Sequence, residues 1–306
     1  MPITVYESFR AIFYTPFYLP HALGAYTAEG VDVTLATSPD TGDVAAHLES
    51  QQADVYWGGP MRIMMNRDRN AAVDIVGFCE AVTRDPFFLV GNRPNPDFTL
   101  NDLTTVTVGT VSEVPTPWMC LQDDLRRAEI APAAVNRVTD ASMAENVAAL
   151  RDGRIDVAQL FQPDVETLLQ SGVGHIWYAA ADRGPCTYTT LYTIRRTLEA
   201  KADELHRMTR AMYRAQKWLH AHTGPEIADT VAEFFPDCPA EILAGAIDRY
   251  KAVGVWGRNP ILPRAGFDRL SAALLSGGLI GKPIPFEACV DMRFAAAVIA
   301  DDPPSL

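Results

Sequence analysis

The feature that most constrains this chain is an internal echo. Leu48 is followed six residues later by Asp54-Val55, and Leu150 by Asp156-Val157 at the same spacing. In each copy a helical pattern closes in a polar turn, a strand opens, and that strand runs on to a proline, Pro60 or Pro163. A separation of about 100 residues is too long for a solenoid repeat, and it fits two α/β lobes built to one plan.

The first copy sits in the stretch from His21 to Pro60. An amphipathic segment ends at Gly30, a short strand spans Val31 to Leu35, a polar loop runs from Ser38 to Gly42, and a helix leads to a strand from Ala53 to Trp57. Ligands of open α/β sheets bind outside the carboxyl ends of the strands. The loops there carry small polar, glycine and aromatic residues, so they are candidate contacts.

Around this unit, Ile3 to Val5 with Phe9 to Phe13 reads as a first strand and its loop, broken by Tyr14-Thr15-Pro16. Met61 to Asn66 continues as a short helix. Val73 to Cys79 and Phe87 to Gly91 are apolar runs of the kind buried on both faces of a sheet. Arg93-Pro94-Asn95-Pro96-Asp97 is dense in turn formers and is the expected crossover between lobes. Thr105 to Val108 is a β-branched strand ending at Gly109-Thr110-Val111-Ser112, ahead of the helical pattern Met119 to Glu129. Thr187 to Ile194 reads as a returning strand. Beyond Leu198 the period is helical, with Leu205, Met208, Met212, Ala215 and Leu219 on one face and further helices at Pro225 to Phe235 and Pro239 to Val253. The expected architecture is an α/β fold of two lobes with a helical C-terminal tail packed on the first. Residues 1–88 and 187–306 form lobe I, and residues 89–186 form an inserted lobe II.

Composition removes several functions. A net charge of −12 opposes affinity for nucleic acid or anionic lipid, since both need a basic surface. No apolar run is long enough to insert in a membrane. The five cysteines show no C-x-x-C spacing and read as buried free thiols of a reducing compartment. The opening MPITVYESFRAIFYTPFY lacks the layout of a signal peptide. A cytoplasmic protein is therefore expected if Met1 is the native start, and a periplasmic one if a leader was removed.

The run Ala25-Tyr26-Thr27-Ala28-Glu29-Gly30-Val31-Asp32-Val33 resembles a segment of the sulfonate-binding and thiamine-pyrimidine-synthase-like (NMT1/THI5-like) group of type II periplasmic-binding-protein folds. The similarity continues through Ala53 to Gly59, Leu100 to Gly109, Val157 to Pro163, Pro260-Ile261 and Pro283-Ile284-Pro285, nearly the whole chain. The resemblance implies two lobes on a two-strand hinge that close over a small organic ligand, a sulfonate, aromatic acid or pyrimidine. An ABC permease is the partner implied for a transport role. The group also includes enzymes, so a cytoplasmic decarboxylase or pyrimidine-precursor enzyme is the alternative, and fold alone does not choose between them.

Closure requires contacts from both lobes, because only differential contact shifts an open-closed equilibrium. From the first lobe the candidates are Tyr14, Phe17, Tyr18, Ser38, Thr41, Gly42, Trp57, Gly58, Gly59, Arg62 and Glu80. From the second they are Thr110, Ser112, Thr116, Trp118, Phe161 and Gln162, with Cys186 and Tyr188 at the return crossing. Aromatic faces in a cleft suit a planar ligand, although each ring could equally be core. Gly58-Gly59 suits either a tight turn or close backbone approach. Thr41, Thr110 and Ser112 suit helix caps whose free N–H groups can also hold an anion. Arg62 could pair with an acidic ligand group or with a surface carboxylate.

No catalytic group, metal set or cofactor is expected. The pyrimidine-synthase branch uses a lysine for pyridoxal phosphate, whereas here the first lysine is Lys201 and Met61-Arg62 follows the glycine strand. The desulfinase branch needs a nucleophilic cysteine after the first strand, and Tyr14 to Pro20 has none. His220 and His222 lie two apart, not at the i, i+4 spacing of a helical metal pair. His21 and His47 are the remaining acid-base candidates.

Overall fold

The computed structural model describes residues 2–39 and 44–306. The candidates Thr41 and Gly42 lie outside the described residues. Among the described residues, ten strands form two five-stranded mixed sheets. The first has the order β2-β1-β3-β10-β4, from β1 (Ile3–Glu7), β2 (Val33–Thr37), β3 (Val55–Gly58), β4 (Ile75–Val82) and β10 (Thr189–Ile194). The second has the order β7-β6-β8-β5-β9, from β5 (Phe88–Gly91), β6 (Thr107–Gly109), β7 (Asn136–Val138), β8 (Val157–Leu160) and β9 (His175–Ala179). In each sheet the first three strands run parallel and the fourth is antiparallel to its neighbours.

The sequence echo is a pair of equivalent positions in these sheets. Asp54 lies just before β3 and its Oδ2 accepts from the Thr4 amide at 2.9 Å, while the Asp54 amide donates to the Thr4 carbonyl at 2.9 Å. Asp156 lies just before β8 and does the same with Thr107, at 2.8 and 3.0 Å. In both lobes a carboxylate pins the start of one parallel strand to its neighbour, which fixes register where a one-residue slip would turn every side chain to the wrong face.

Helices cover both sheets. In the first two thirds of the chain they are α1 (Thr15–Ala22), α2 (Ala25–Ala28), α3 (Val44–Glu49), α4 (Met61–Arg69), α5 (Thr116–Arg127), α6 (Met143–Arg151) and α7 (Asp164–Gln170). The C-terminal part adds α8 (Arg195–Ala200), α9 (Ala202–Ala221), α10 (Gly224–Val231), α11 (Ala240–Ala252), α12 (Arg264–Ser276), α13 (Phe286–Cys289) and α14 (Arg293–Asp301). The stripe Leu205, Met208, Met212, Ala215 and Leu219 on α9 is fully buried, as its period demands. It lies against α1, α2, β4 and α14 in the first lobe. The tail also reaches the second lobe, because α11 packs on α7 and α12 packs on α5.

The chain leaves the first sheet after Val82 and enters the second at Phe88, so Arg93 to Asp97, the expected crossover, follows a strand already inside the second sheet. The two crossing segments run side by side. Ala180 N donates to Phe87 O at 2.9 Å, Cys186 N to Thr83 O at 2.9 Å and Tyr188 N to Val82 O at 3.0 Å.

His21, near the end of α1, sits edge-on to the Tyr26 ring at 4.9 Å, and its buried Nε2 has no hydrogen-bond partner among the described residues. Burial lowers its pKa from 6.5 to about 4. The unfolded chain therefore binds more protons between these values. The contribution is complete above pH 6.5 and is lost as pH falls through about 4. Replacing His21 with glutamine is expected to remove roughly 2–3 kcal/mol of pH-dependent stability over that window, read from urea midpoints at pH 7 and pH 4. Parallel profiles for the two proteins would disprove it.

Candidate ligand-binding site

The loops at the carboxyl ends of the parallel strands face one another across a cleft between the lobes. A small cavity of about 40 Å³, partly open to solvent, is walled by Ser8, Phe9, Phe13, Tyr14, Gly59, Met61 and Arg62 on the first lobe. Phe87 and Tyr188 come from the crossings, and Val114, Thr116 and Phe161 from the second lobe. It continues into a larger hollow of about 340 Å³ bordered by Val111, Glu113 and Met143.

The wall is mostly aromatic, and Phe161 is at its centre. Its ring lies edge-on to Phe13 at 5.3 Å and to Phe87 at 5.1 Å, and is stacked against Phe9 at 6.4 Å. One residue of the second lobe thus seats in a nest of rings from the first lobe and the hinge. Such offset and edge contacts are favourable beyond the area they bury. Phe161 follows β8 as Gly59 follows β3, so the two copies of the echo supply opposite walls of one cleft.

Polar groups are few and buried. Ser8 Oγ and Tyr188 OH have no hydrogen-bond partner among the described residues. Leaving a buried hydroxyl unpaired costs about 1–3 kcal/mol, so two in one cavity mark where a ligand acceptor would recover that energy. Burial raises the Tyr188 hydroxyl far above its usual pKa, and it does the same for Tyr14 despite the nearby Arg62 charge. Both therefore stay protonated at neutral pH and can donate. Arg62 lies in the first turn of α4, and Thr116 opens α5 on the opposite lobe. Helix N-termini carry partial positive charge, so the starts of α4 and α5 favour an anion, beside the Glu113 carboxylate that borders the hollow.

The structure brings Tyr14, Gly59, Arg62, Thr116, Phe161 and Tyr188 together in the cavity wall. The other candidates lie elsewhere. Tyr14 to Pro20 is α1 and its start, not an open loop. That helix buries Phe17, stacked on Trp57 at 5.2 Å, and Tyr18, whose hydroxyl donates to Glu7 Oε2 at 2.6 Å. Trp57 is 1% exposed and is a core residue. Gly58 is needed within the first lobe, since a Cβ there would stand 3.0 Å from the Tyr192 hydroxyl. Ser38 and His47 both bond the Tyr56 hydroxyl, at 2.8 and 2.6 Å.

Glu80 is fully buried, bonded to the Thr187 hydroxyl, and desolvation raises its pKa. Thr110 donates through its hydroxyl to Val138 O, and the amide of the exposed Ser112 donates to Ala141 O. Trp118 lies beneath the Arg137 guanidinium at 4.1 Å, and Gln162 caps Glu166 N through its side-chain oxygen. Cys186 Sγ is 3.9 Å from Cys120 Sγ, both buried. His220 bonds Gly257 O and His222 stacks on Trp218, so they form no pair.

The sequence reading missed Ser8, Phe9, Phe13, Met61, Phe87 and Val114. Ser8 and Phe9 were within reach of it, since they directly follow the first strand at its carboxyl end. Among the described residues the cavity wall holds no Cys, His or Lys.

The model of the NMT1/THI5 like family matches residues 12–226. YtlA of Bacillus subtilis (strain 168), a provisionally named binding protein, is 24% identical over 98% of this chain and 90% of its own length. The periplasmic aliphatic sulphonate binding protein SsuA of Escherichia coli superposes with a TM-score of 0.74 at 14% identity, over 94% of this chain and 95% of SsuA. The desulfurization enzyme DSZB superposes with a TM-score of 0.68 at 14% identity, over 98% of this chain and 100% of that one. These likenesses establish the fold as that of type II periplasmic binding proteins. Binding proteins and an enzyme share it, so function has to be argued from the cleft.

Proposed function

This chain belongs to the NMT1/THI5-like family, and from that premise we propose that it is a solute-binding protein of the ABC import type. Its ligand is a small organic anion with a planar apolar body, in the range of sulfonates, aromatic acids and pyrimidine-type compounds. The observation that carries this reading is the cleft itself, where Ser8 Oγ and Tyr188 OH lie buried and unpaired inside an aromatic wall contributed by both lobes. The ligand body stacks among Phe9, Phe13 and Phe161, and its anionic end accepts hydrogen bonds from the two hydroxyls beside the helix starts at Met61 and Thr116. Because these contacts come from both lobes, binding favours closure. In the transport role the closed form hands its ligand to a membrane permease.

Thermal denaturation with alkyl and aryl sulfonates, aromatic carboxylates and aminopyrimidines tests this. A ligand present at 100 times its Kd stabilises the native state by about 2.7 kcal/mol, which raises Tm by roughly 5 °C in a chain of this size. At least one class is expected to do so, to be recovered with unchanged mass, and to lose the effect in Phe161→Ala. No rise with any of the three classes would overturn the reading.

A further inference from the structure

A second cavity, of about 570 Å³, open to solvent and sharing no wall residue with the cleft, is built on the hinge. Thr83 and Arg84 of the first crossing line it, as do Pro185 of the second and the loop from Trp256 to Asn259. That loop is tied to the hinge by the bridge between Val82 and Trp256 and by Thr83 N donating to Val255 O at 2.9 Å.

The charge of this wall is one-sided. It contains Arg84, His220, Lys251 and Arg258 and no Asp or Glu, in a chain whose net charge is −12. Arg258 is exposed and makes no ion pair or side-chain hydrogen bond among the described residues. Arg84 is half-buried, lacks a carboxylate partner there, and gives one N–H to Ala181 O at 3.4 Å. The Lys251 ammonium is fixed at the wall by the carbonyls of Leu219, at 3.1 Å, and His222. His220 Nε2 lies 3.1 Å from Gly257 O. Burial holds the His220 pKa below its usual value, with the Arg258 and Lys251 charges acting the same way and the Gly257 carbonyl opposing them. Asp248 and Glu226 act on Lys251 from outside the wall, and the cations on the wall itself repel one another, a repulsion that an anion among them relieves.

We propose that this cavity binds a compact polyvalent oxyanion, inorganic phosphate or the phosphoryl group of a small molecule, held by Arg84 and Arg258 with Lys251 and His220. The guanidinium forks of Arg84 and Arg258 match phosphate oxygens, and paired N–H contacts of this kind are among the stronger hydrogen bonds. A bound oxyanion would tie the first crossing to the C-terminal loop.

Titration of the full chain with potassium phosphate against potassium chloride at matched ionic strength, followed by thermal denaturation, tests the site. Phosphate is expected to raise Tm saturably in the millimolar range. The double variant Arg84→Gln/Arg258→Gln is expected to weaken its binding about tenfold or more. Arg258→Gln alone breaks no ion pair or side-chain hydrogen bond among the described residues and covers the case where the double variant does not fold; it is expected to weaken binding as well. Arg62→Gln, in the cleft, is expected to leave the phosphate response intact, which separates this site from the proposed cleft ligand.

By linkage, the His220 imidazole titration followed by NMR is expected to move to higher pH when phosphate binds. The charged groups facing His220 are Lys251 and Arg258, and Asp248 and Glu226 act on Lys251. A parallel titration with a phosphomonoester distinguishes a phosphoryl ligand from free phosphate by which binds more tightly. No rise beyond that with chloride, a rise unchanged in Arg258→Gln, or a rise abolished by Arg62→Gln would overturn the proposal.

Discussion

Replacing Arg183 with methionine is expected to lower the stability of the folded chain by about 3–5 kcal/mol, the cost of breaking a buried ion pair from one side. Arg183 belongs to the second crossing, and its side chain is 2% exposed. It bonds Asp85 of the first crossing and reaches Asp124 of α5 through Nε at 2.9 Å and a terminal nitrogen at 2.5 Å. Asp124 is also held by Arg269 of α12 at 2.8 Å, and the neighbouring Asp123 by Arg127 at 2.6 Å and Arg269 at 3.3 Å. Three arginines thus face three aspartates where both crossings, α5 and α12 meet. Desolvation already raises the Asp85 pKa, and Arg183 is the largest influence opposing it. Without the guanidinium, the buried Asp85 would lose its cationic partner and Asp124 would keep only Arg269. The measurement is the urea midpoint at pH 7, with Arg154→Met, an exposed pair with Asp152, as the comparison. A loss below about 1 kcal/mol, the scale of a surface pair, would show that the network is not load-sharing at the hinge.

Trp57→Ala is expected to cost about 3–5 kcal/mol as a large-to-small core substitution. Trp57 lies at the carboxyl end of β3, stacked on Phe17, edge-on to Tyr18 at 5.3 Å and tilted to Tyr14 at 6.1 Å. Its Nε1 has no hydrogen-bond partner among the described residues, so the loss is one of packing and cavity formation, with no hydrogen bond to subtract. Trp57→Phe keeps most of the buried area and is expected to cost much less. Tyr14, which shares the contact, also lines the cleft, so weaker ligand binding by Trp57→Ala would follow from a displaced wall. A midpoint shift as small for alanine as for phenylalanine would place Trp57 outside the core.

Trp57 also shows where reading the chain reaches its limit. A tryptophan at the carboxyl end of a strand, before Gly58-Gly59, suits a ligand face by position alone. What removes it from the cleft is α1, which begins at Thr15 and lays Phe17 and Tyr18 over it. Pro16 was read as breaking the chain into a loop. At the first turn of a helix a proline loses no internal hydrogen bond and has the right φ, so the same residue starts one.

The sequence by itself determined the two-lobed plan, because a helix, an aspartate and a β-branched strand at one spacing dictate the same local pairing wherever they recur, as Asp54 with Thr4 and Asp156 with Thr107 show. It determined the buried face of α9, since burial follows helical period. It also singled out Tyr14, Gly59, Arg62, Thr116, Phe161 and Tyr188, which line the cavity. Only the tertiary structure decided which rings face the cavity and which fill the core. It alone brought Asp85, Asp124 and Arg183 together across separations of 98 and 59 residues, and it alone gathered Arg84, His220, Lys251 and Arg258 around one cavity. The physical reason is that periodicity and spacing act within one element, whereas burial and charge neighbours depend on how distant elements pack.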